Sequence, residues 1–352
     1  MRQTSSNPHG CGQRRRMCRV PALILGTLML LGTPAWAAET ASADTAAEQA
    51  SRIALWPAGV APGDTALTQP QRIVERSSDA AHPDRYIQAI SQPYLVVYRP
   101  KRPNGTALLV TPGGGYQRIV LDNEGSMLAP SFVDTAGITL FVLRYRLPGE
   151  GHPDAADVPL ADAQRALRLI RANAARYGID AQRVGVMGFS AGGHVAASLG
   201  TRYAAQVYPA QDAADALSAR PDFQLLIYPV IDMDSANAHP GSRERLLGRT
   251  PGQAQVRAYS PQLHVDARTP PAFLLHAQDD AVVPVRNSLL MYDALLHAGV
   301  ASELHVFPQG GHGFGTGRIA GLTLAAWPQL AQAWIARVTQ PPVATASREA
   351  GR

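Results

Sequence analysis

Cysteine and lysine are almost missing from this 352-residue chain: Cys11 and Cys18 are its two thiols, and Lys101 is its one lysine. Two cysteines are too few for a disulfide framework or a cysteine-based zinc module. Charged residues make up 17% and aromatics 6%, against 46% hydrophobic residues, which excludes a wholly disordered chain. Acidic residues are absent from the first 37 positions, where Arg2, Arg14, Arg15, Arg16 and Arg19 stand. The formal net charge of +5 comes from 32 basic and 27 acidic residues, so removing those five arginines leaves 27 of each sign. A net positive charge invites a nucleic-acid or anionic-membrane partner. Here the charge has an address, and from residue 38 on the chain is formally neutral. Nucleic acid is therefore not an expected partner.

The same stretch reads as an export signal. A basic segment ends at Arg19, the apolar run Pro21–Leu31 comes next, and Ala35-Trp36-Ala37 is a small-x-small cleavage site. Eleven residues are too few for a permanent membrane anchor, which needs about 20. Met17 offers a second start, from which Met17–Ala37 alone makes a compact signal. The arginine triplet raises twin-arginine export, but its flanks favour the general route. Cleavage near Ala37 would remove both cysteines and deliver a thiol-free protein to the periplasm or the medium, where oxidising conditions do it no harm.

Residues 38–51 are small and polar and are expected to form a flexible lead-in, and 341–352 a disordered tail. Between them no internal repeat, heptad pattern or low-complexity linker appears, so 52–340 is expected to be one domain. Such a length buries roughly three quarters of the unfolded surface. Tyr94–Tyr98, Ala107–Val110, Ile138–Leu143, Val184–Met187, Phe223–Val230, Phe273–His276 and Leu304–Phe307 are short apolar runs with β character. Leu160, Ala163, Leu167, Ile170 and Ala174 recur at helical spacing within Val158–Tyr177, ended by Gly178. Further helical patterns cover Val285–His297 and Leu322–Val338. Apolar strands alternating with helices predict an α/β fold with a mainly parallel sheet and helices on both faces. Ligands are expected at the carboxyl ends of its strands.

Three loops at such ends carry chemistry. Gly188-Phe-Ser190-Ala-Gly192 lies between a strand and a helix pattern, the setting of a nucleophile elbow, whose tight turn leaves no room for side chains at the two glycines. After Phe273–His276 come Asp279 and Asp280, and after Leu304–Phe307 comes His312 between glycines. Ser, acid, His is the chain order of an α/β-hydrolase. His312 would take the serine proton and return it to the leaving alcohol, while the acid fixes the imidazole tautomer. Asp279 and Asp280 compete for the acid's part. Asp280 begins Asp-x-x-Val-Pro, the register usual in this fold, and Asp279 reads as a capping or loop carboxylate.

Strand Ala107–Val110 runs into Thr111-Pro-Gly-Gly-Gly-Tyr116. Acyl transfer builds charge on the former carbonyl oxygen, which preorganised backbone N–H groups stabilise. Gly113, Gly114 and Ala191 are the expected oxyanion-hole donors. A phosphate loop is a poorer reading, since Gly-x-Gly-x-x-Gly is absent and no helix pattern comes directly after. Tyr116 is a candidate pocket wall, able to stack on a sugar ring. Asp122 and Glu124 come after this loop, either at the substrate entrance, in solvent, or, for Glu124, bracing the loop. His194 reads as structural, and His239 and His264 lack metal-ligand spacing. The polar stretch Asp232–Thr269 is long enough to overhang the cleft.

These segments resemble the α/β-hydrolase esterases related to hormone-sensitive lipase and to bacterial acetylxylan and feruloyl esterases. Pro112-Gly-Gly-Gly-Tyr116 is similar to their His-Gly-Gly-Gly-aromatic loop, with Pro112 in the histidine's place. Gly188–His194, Tyr145-Arg-Leu-Pro148, Leu160–Ala166, His276–Asn287 and Gly310–Gly315 resemble the group's typical segments. The likeness runs roughly from Ile53 to Arg337. It implies an exported serine esterase acting on short acyl esters, acetyl above all, of plant polysaccharides or oligosaccharides such as acetylated xylan. It implies no metal and no organic cofactor. A general carboxylesterase, a peptidase of the same fold and a non-catalytic binding protein are the competing readings.

Overall fold

The computed structural model describes residues 40–340 apart from 60, 63, 65 and 66. The expected export signal and the expected tail lie outside the described residues. Among the described residues, twelve strands and eight α-helices succeed one another in order: β1 (Thr40–Ser42), α1 (Ala46–Ala50), β2 (Arg52–Ala54), β3 (Arg72–Glu75), β4 (Arg85–Gln88), β5 (Tyr94–Tyr98), β6 (Ala107–Thr111) and β7 (Ile119–Val120). Then come β8 (Thr139–Arg144), α2 (Val158–Ala172), α3 (Ala174–Tyr177), β9 (Val184–Phe189), α4 (Ser190–Arg202), β10 (Gln224–Ile227), α5 (Pro240–Leu247), α6 (Gln253–Ala258), β11 (Ala272–Ala277), α7 (Arg286–His297), β12 (Ser302–Phe307) and α8 (Trp327–Val338).

Eight strands form the main sheet in the order β12-β11-β10-β9-β6-β8-β5-β2. From β12 to β8 every pairing is parallel; β5 runs antiparallel to β8, and β2, antiparallel to β5, returns to the direction of the parallel strands. Side chains alternate across a strand, so each inner strand feeds two cores. Ala107, Leu109, Val184 and Val186 pack on one face with Leu167 of α2, Val195 of α4 and Met291 of α7. Leu108, Val110, Met187 and Phe189 pack on the other with Phe132 and with Trp334 of α8. Burial on both faces is why these strands read as unbroken apolar runs. The helical pattern Val158–Tyr177 breaks at Asn173, and Gly178 closes it in the left-handed region at φ 65°. Among the described residues, no helix is long and apolar enough to cross a membrane.

The expected flexible lead-in is ordered from Thr40 on. β1 pairs antiparallel with β3 in a second sheet, β1-β3-β4-β7. Thr45 and Glu48 close a reciprocal capping box on α1, the Thr45 hydroxyl taking the Glu48 N–H and the Glu48 carboxylate taking the Thr45 N–H. Composition hides this because the acids of the segment face inward. Buried Glu48 pairs with Arg85 at 2.9 Å, and Arg85 pairs with Asp122 at 2.7 Å.

That arrangement ties stability to pH. Burial pushes the Glu48 carboxyl up, but hydrogen bonds from Arg85, the Thr45 N–H and Tyr98 prevail and hold it at about 2, against an ordinary 4.5. A depressed carboxyl contributes stability above its unfolded value and loses it as pH falls toward the folded one. The loss is on the order of 3 kcal/mol between those limits. Urea unfolding followed from neutral pH downward is expected to show it, and Glu48→Gln is expected to flatten that acid limb while lowering stability near neutrality.

Candidate active site

Parallel strands put their carboxyl ends, and the loops that leave them, on one edge of the sheet. The loops after β6, β9, β11 and β12 bring Gly113, Ser190, Asp280 and His312 together there. Ser190 sits at φ 52°, a left-handed conformation that a non-glycine residue holds only under strain. Its neighbours show why glycine is required. A Cβ on Gly188 would lie 2.3 Å from the Gly192 carbonyl oxygen, and one on Gly192 would lie 2.0 Å from that of Thr111. The turn is thus tight enough to hold the Ser190 side chain up at the edge of the sheet.

The Ser190 hydroxyl donates to His312 Nε2 at 2.8 Å, and His312 Nδ1–H donates to Asp280 Oδ2 at 2.7 Å. Asp280 is buried, and its Oδ1 accepts the Val282 and Val283 N–H groups at 2.9 Å each. Burial alone would raise this carboxyl. Hydrogen bonds from His276 and His312 outweigh burial and hold it well below the usual range, so it stays ionised. His276 is a member of this group that sequence reasoning missed. It lies inside β11, with Nε2 at 2.9 Å from the Val283 carbonyl and 3.3 Å from Asp280, and Nδ1 accepting from Ser288. Asp279 does something else. Its Oδ1 accepts the Gly311 N–H at 2.8 Å, clasping the loop that carries His312.

The glycine loop departs from expectation at Gly113. Its N–H donates to Glu124 Oε2 at 2.6 Å, so it is already satisfied and does not face the cleft as a free donor. Gly113 is instead the contact point between loop and elbow, where an added Cβ would lie 2.9 Å from Ser190 Cβ. Gly114 and Gly115 line the cleft beside Ser190, at φ 132° and 65°. Ala191 lies in the first turn of α4, where backbone N–H groups have no intrahelical acceptor. With proline at 112, the loop is held by Tyr145, whose hydroxyl donates to the Pro112 carbonyl at 2.7 Å, and by Glu124.

Glu124 is buried, and burial raises its carboxyl above the ordinary value. Its other oxygen accepts from the Tyr228 hydroxyl at 2.9 Å. Tyr228, just past β10 at a strained φ of 39°, also accepts the Gly315 N–H, and its ring meets His312 edge-on at 5.1 Å. One tyrosine thus ties the glycine loop, through Glu124, to the histidine loop and the sheet. Nothing in the local sequence marks it beyond its place at a strand's carboxyl end. Asp122 is neither at the entrance nor in solvent, being fully buried against Arg85.

Tyr116, the expected pocket wall, is 1% exposed and is not part of the cleft lining. His194 Nε2–H donates to the Tyr259 carbonyl at 2.8 Å, which leaves Nδ1 to accept from the Tyr116 hydroxyl at 2.7 Å. Burial pushes this imidazole down to about 4, so it stays neutral. The chain of bonds pins the glycine loop to α4 and to the 232–269 stretch. Tyr116→Phe is expected to strand the buried Nδ1 and cost about 1–3 kcal/mol, read as a shift in the urea midpoint, with KM little changed. A wall residue would give the reverse.

The cleft holds about 340 Å³, and its lining includes just two aliphatic side chains among the described residues, Val120 and Val282. His239 enters it from the 232–269 stretch, which folds into α5 and α6. His239 caps α5, with Nδ1 accepting the Ser242 N–H at 3.2 Å, so its proton is on Nε2.

The BD-FAE family model matches residues 95–295, more than half of the chain. An acetylxylan esterase from Xylanibacter ruminicola is 36% identical over 227 residues, 63% of this chain and 44% of that one. Endo-1,4-beta-xylanase B of Butyrivibrio fibrisolvens is 38% identical over 206 residues, 58% of this chain and 32% of that one. The chain thus spans less than half the length of these two relatives. Among solved structures, an acetyl ester-xyloside bifunctional hydrolase from Caldicellulosiruptor lactoaceticus matches with a TM-score of 0.65 and 35% identity, covering 82% of this chain and 96% of that one.

Proposed function

The chain belongs to the BD-FAE family and has the α/β-hydrolase fold, and from that premise we propose that it is an exported serine esterase of acetylated carbohydrates such as acetylated xylan. The observation that carries the reading is the unbroken line Ser190–His312–Asp280, at 2.8 and 2.7 Å, on a strained elbow. In this reading His312 takes the Ser190 proton as Oγ attacks the ester carbonyl. The oxyanion forms against the Gly114, Gly115 and Ala191 N–H groups. Collapse expels the alcohol, which leaves with the proton from His312, and an acyl-Ser190 remains. Water, deprotonated by His312, then attacks the acyl group and releases the carboxylic acid and free Ser190. No step calls on a metal or organic cofactor.

Two further features support the substrate class. A lining with two aliphatic side chains offers little to a long acyl chain and much to a hydroxyl-rich alcohol. The acetylxylan esterase of X. ruminicola and the acetyl ester-xyloside hydrolase of C. lactoaceticus carry that chemistry in their names. Export rests on residues 1–37 alone. Acetate release from acetylated xylan, set beside p-nitrophenyl acetate and butyrate, tests the proposal. Acetate from the glycan, and faster turnover of the acetate than of the butyrate, are the expected results. Turnover of the small esters with none from any acetylated glycan would leave a general carboxylesterase.

A further inference from the structure

His239 reaches the cleft from outside the catalytic loops, at the N-terminus of α5 in the 232–269 stretch. Its ring is held from one side. Nδ1 accepts the Ser242 N–H at 3.2 Å and meets the Ser242 hydroxyl at 2.8 Å, and Ser242 is itself fully buried. The other side of the ring is turned to the glycine loop, with Cε1 at 3.7 Å from where a Cβ on Gly115 would stand. Nε2, next to Cε1 in the ring, has no partner among the described residues and is not sealed from solvent. Burial first, and the nearby His312 second, push this imidazole below its ordinary value, while Asp280 opposes the shift. The ring is therefore neutral near neutral pH, with its one proton on Nε2, and it stands close enough to the catalytic pair to feel both members. Asn123, which shares the lining, is by contrast committed at both ends of its amide, to the Gly313 carbonyl at 2.7 Å and the Gly317 N–H at 3.0 Å.

An ester bound at Ser190 lies between the glycine loop and His312, within reach of a fixed N–H beside Gly115. An acetyl group has no polar atom beyond the ester itself, so a further donor has nothing to meet on the acyl side. A sugar ring carries hydroxyls on the carbons that flank the esterified one. We propose that the His239 Nε2–H donates to the substrate hydroxyl vicinal to the esterified oxygen, and so selects esters of vicinal diols, the alcohol chemistry of a carbohydrate, over esters of simple alcohols. This deepens the esterase reading and rests on it. His239 touches the substrate but not the proton that moves between Ser190 and His312, so its part is specificity. A simple alcohol leaves the donor without its acceptor in a partly desolvated cleft, and that cost appears as discrimination between substrates.

The test uses two acetates that differ in one hydroxyl, trans-2-hydroxycyclohexyl acetate and cyclohexyl acetate, and reads the ratio of their kcat/KM values. That ratio is blind to a loss of folded protein, which lowers both rates alike. His239→Asn is the first variant. Asparagine is a strong helix N-cap and can still accept the Ser242 N–H, but its short amide does not extend to where the imidazole Nε2 stands. His239→Phe, the second, keeps the bulk of the ring and removes the donor together with the cap. Both are expected to lower the ratio of hydroxylated to plain acetate about five- to tenfold from its wild-type value. A monoacetylated methyl xyloside, set against cyclohexyl acetate, is expected to lose ground in the same way. A ratio that stays within about twofold of wild type in His239→Asn overturns the inference, whether both rates fall together, as for an oxyanion donor or a structural cap, or neither falls. Hydrolysis of the acetates by the wild type leaves the esterase reading intact in that event. Absence of hydrolysis of every ester by the wild type overturns both.

Discussion

Ser190→Ala is expected to lower kcat on p-nitrophenyl acetate by a factor on the order of 10⁵–10⁶, with KM within a few-fold and the fold intact. The size reflects what the hydroxyl does. Oγ lies 2.8 Å from His312 Nε2 and is the atom that the proposed mechanism acylates. Without it, His312, Asp280 and the backbone donors still surround the ester, which is why a residual rate above that of water is expected. Because strain at φ 52° is held by the surrounding packing rather than by the hydroxyl, the substitution is expected to change the urea midpoint little. A loss of ten-fold or less would mean that another group attacks the ester.

The second large effect separates two adjacent carboxylates. Asp280→Asn is expected to reduce kcat by about 10⁴, while Asp279→Asn stays within about ten-fold of wild type. Asp280 Oδ2 accepts from His312 Nδ1–H at 2.7 Å, and its other oxygen already takes two backbone N–H groups. With that oxygen fixed as the acceptor, an asparagine must turn its NH₂ toward His312. That favours the tautomer with the proton on Nε2, which cannot receive the Ser190 proton. Asp279 holds the Gly311 N–H from an exposed position, so its loss loosens the histidine loop without reversing the tautomer. Steady-state kinetics on both variants, with urea unfolding as the control, decide the matter. Inactivity of Asp279→Asn beside an active Asp280→Asn would exchange their parts.

Much of this arrangement is legible in the chain because it depends on local sterics. The inner strands show as apolar runs since both faces are buried. The elbow shows as Gly188 and Gly192 because a Cβ at either would meet backbone within 2.3 Å. Ser, acid and His could be placed because each stands in the loop that leaves a strand. The features that could not be read depend on partners far away in sequence. Gly113 looks like a donor to the substrate in the sequence, but Glu124 takes its N–H, a bond across eleven positions. Tyr116 looks like a wall, but its hydroxyl is satisfied by His194, 78 residues on. Residues 40–50 look loose because Arg85, the counter-ion of Glu48, stands 37 residues away. Strand, turn and nucleophile are local facts, whereas who satisfies whom in a buried polar network is not.

Mass spectrometry of the intact protein, quenched during turnover of p-nitrophenyl acetate and separately after treatment with a fluorophosphonate, tests the nucleophile most directly. One adduct per chain is expected in each case, mapped by peptide digestion to Ser190 and absent from Ser190→Ala. An unmodified, folded wild-type protein, or an adduct that persists in Ser190→Ala, would contradict the account.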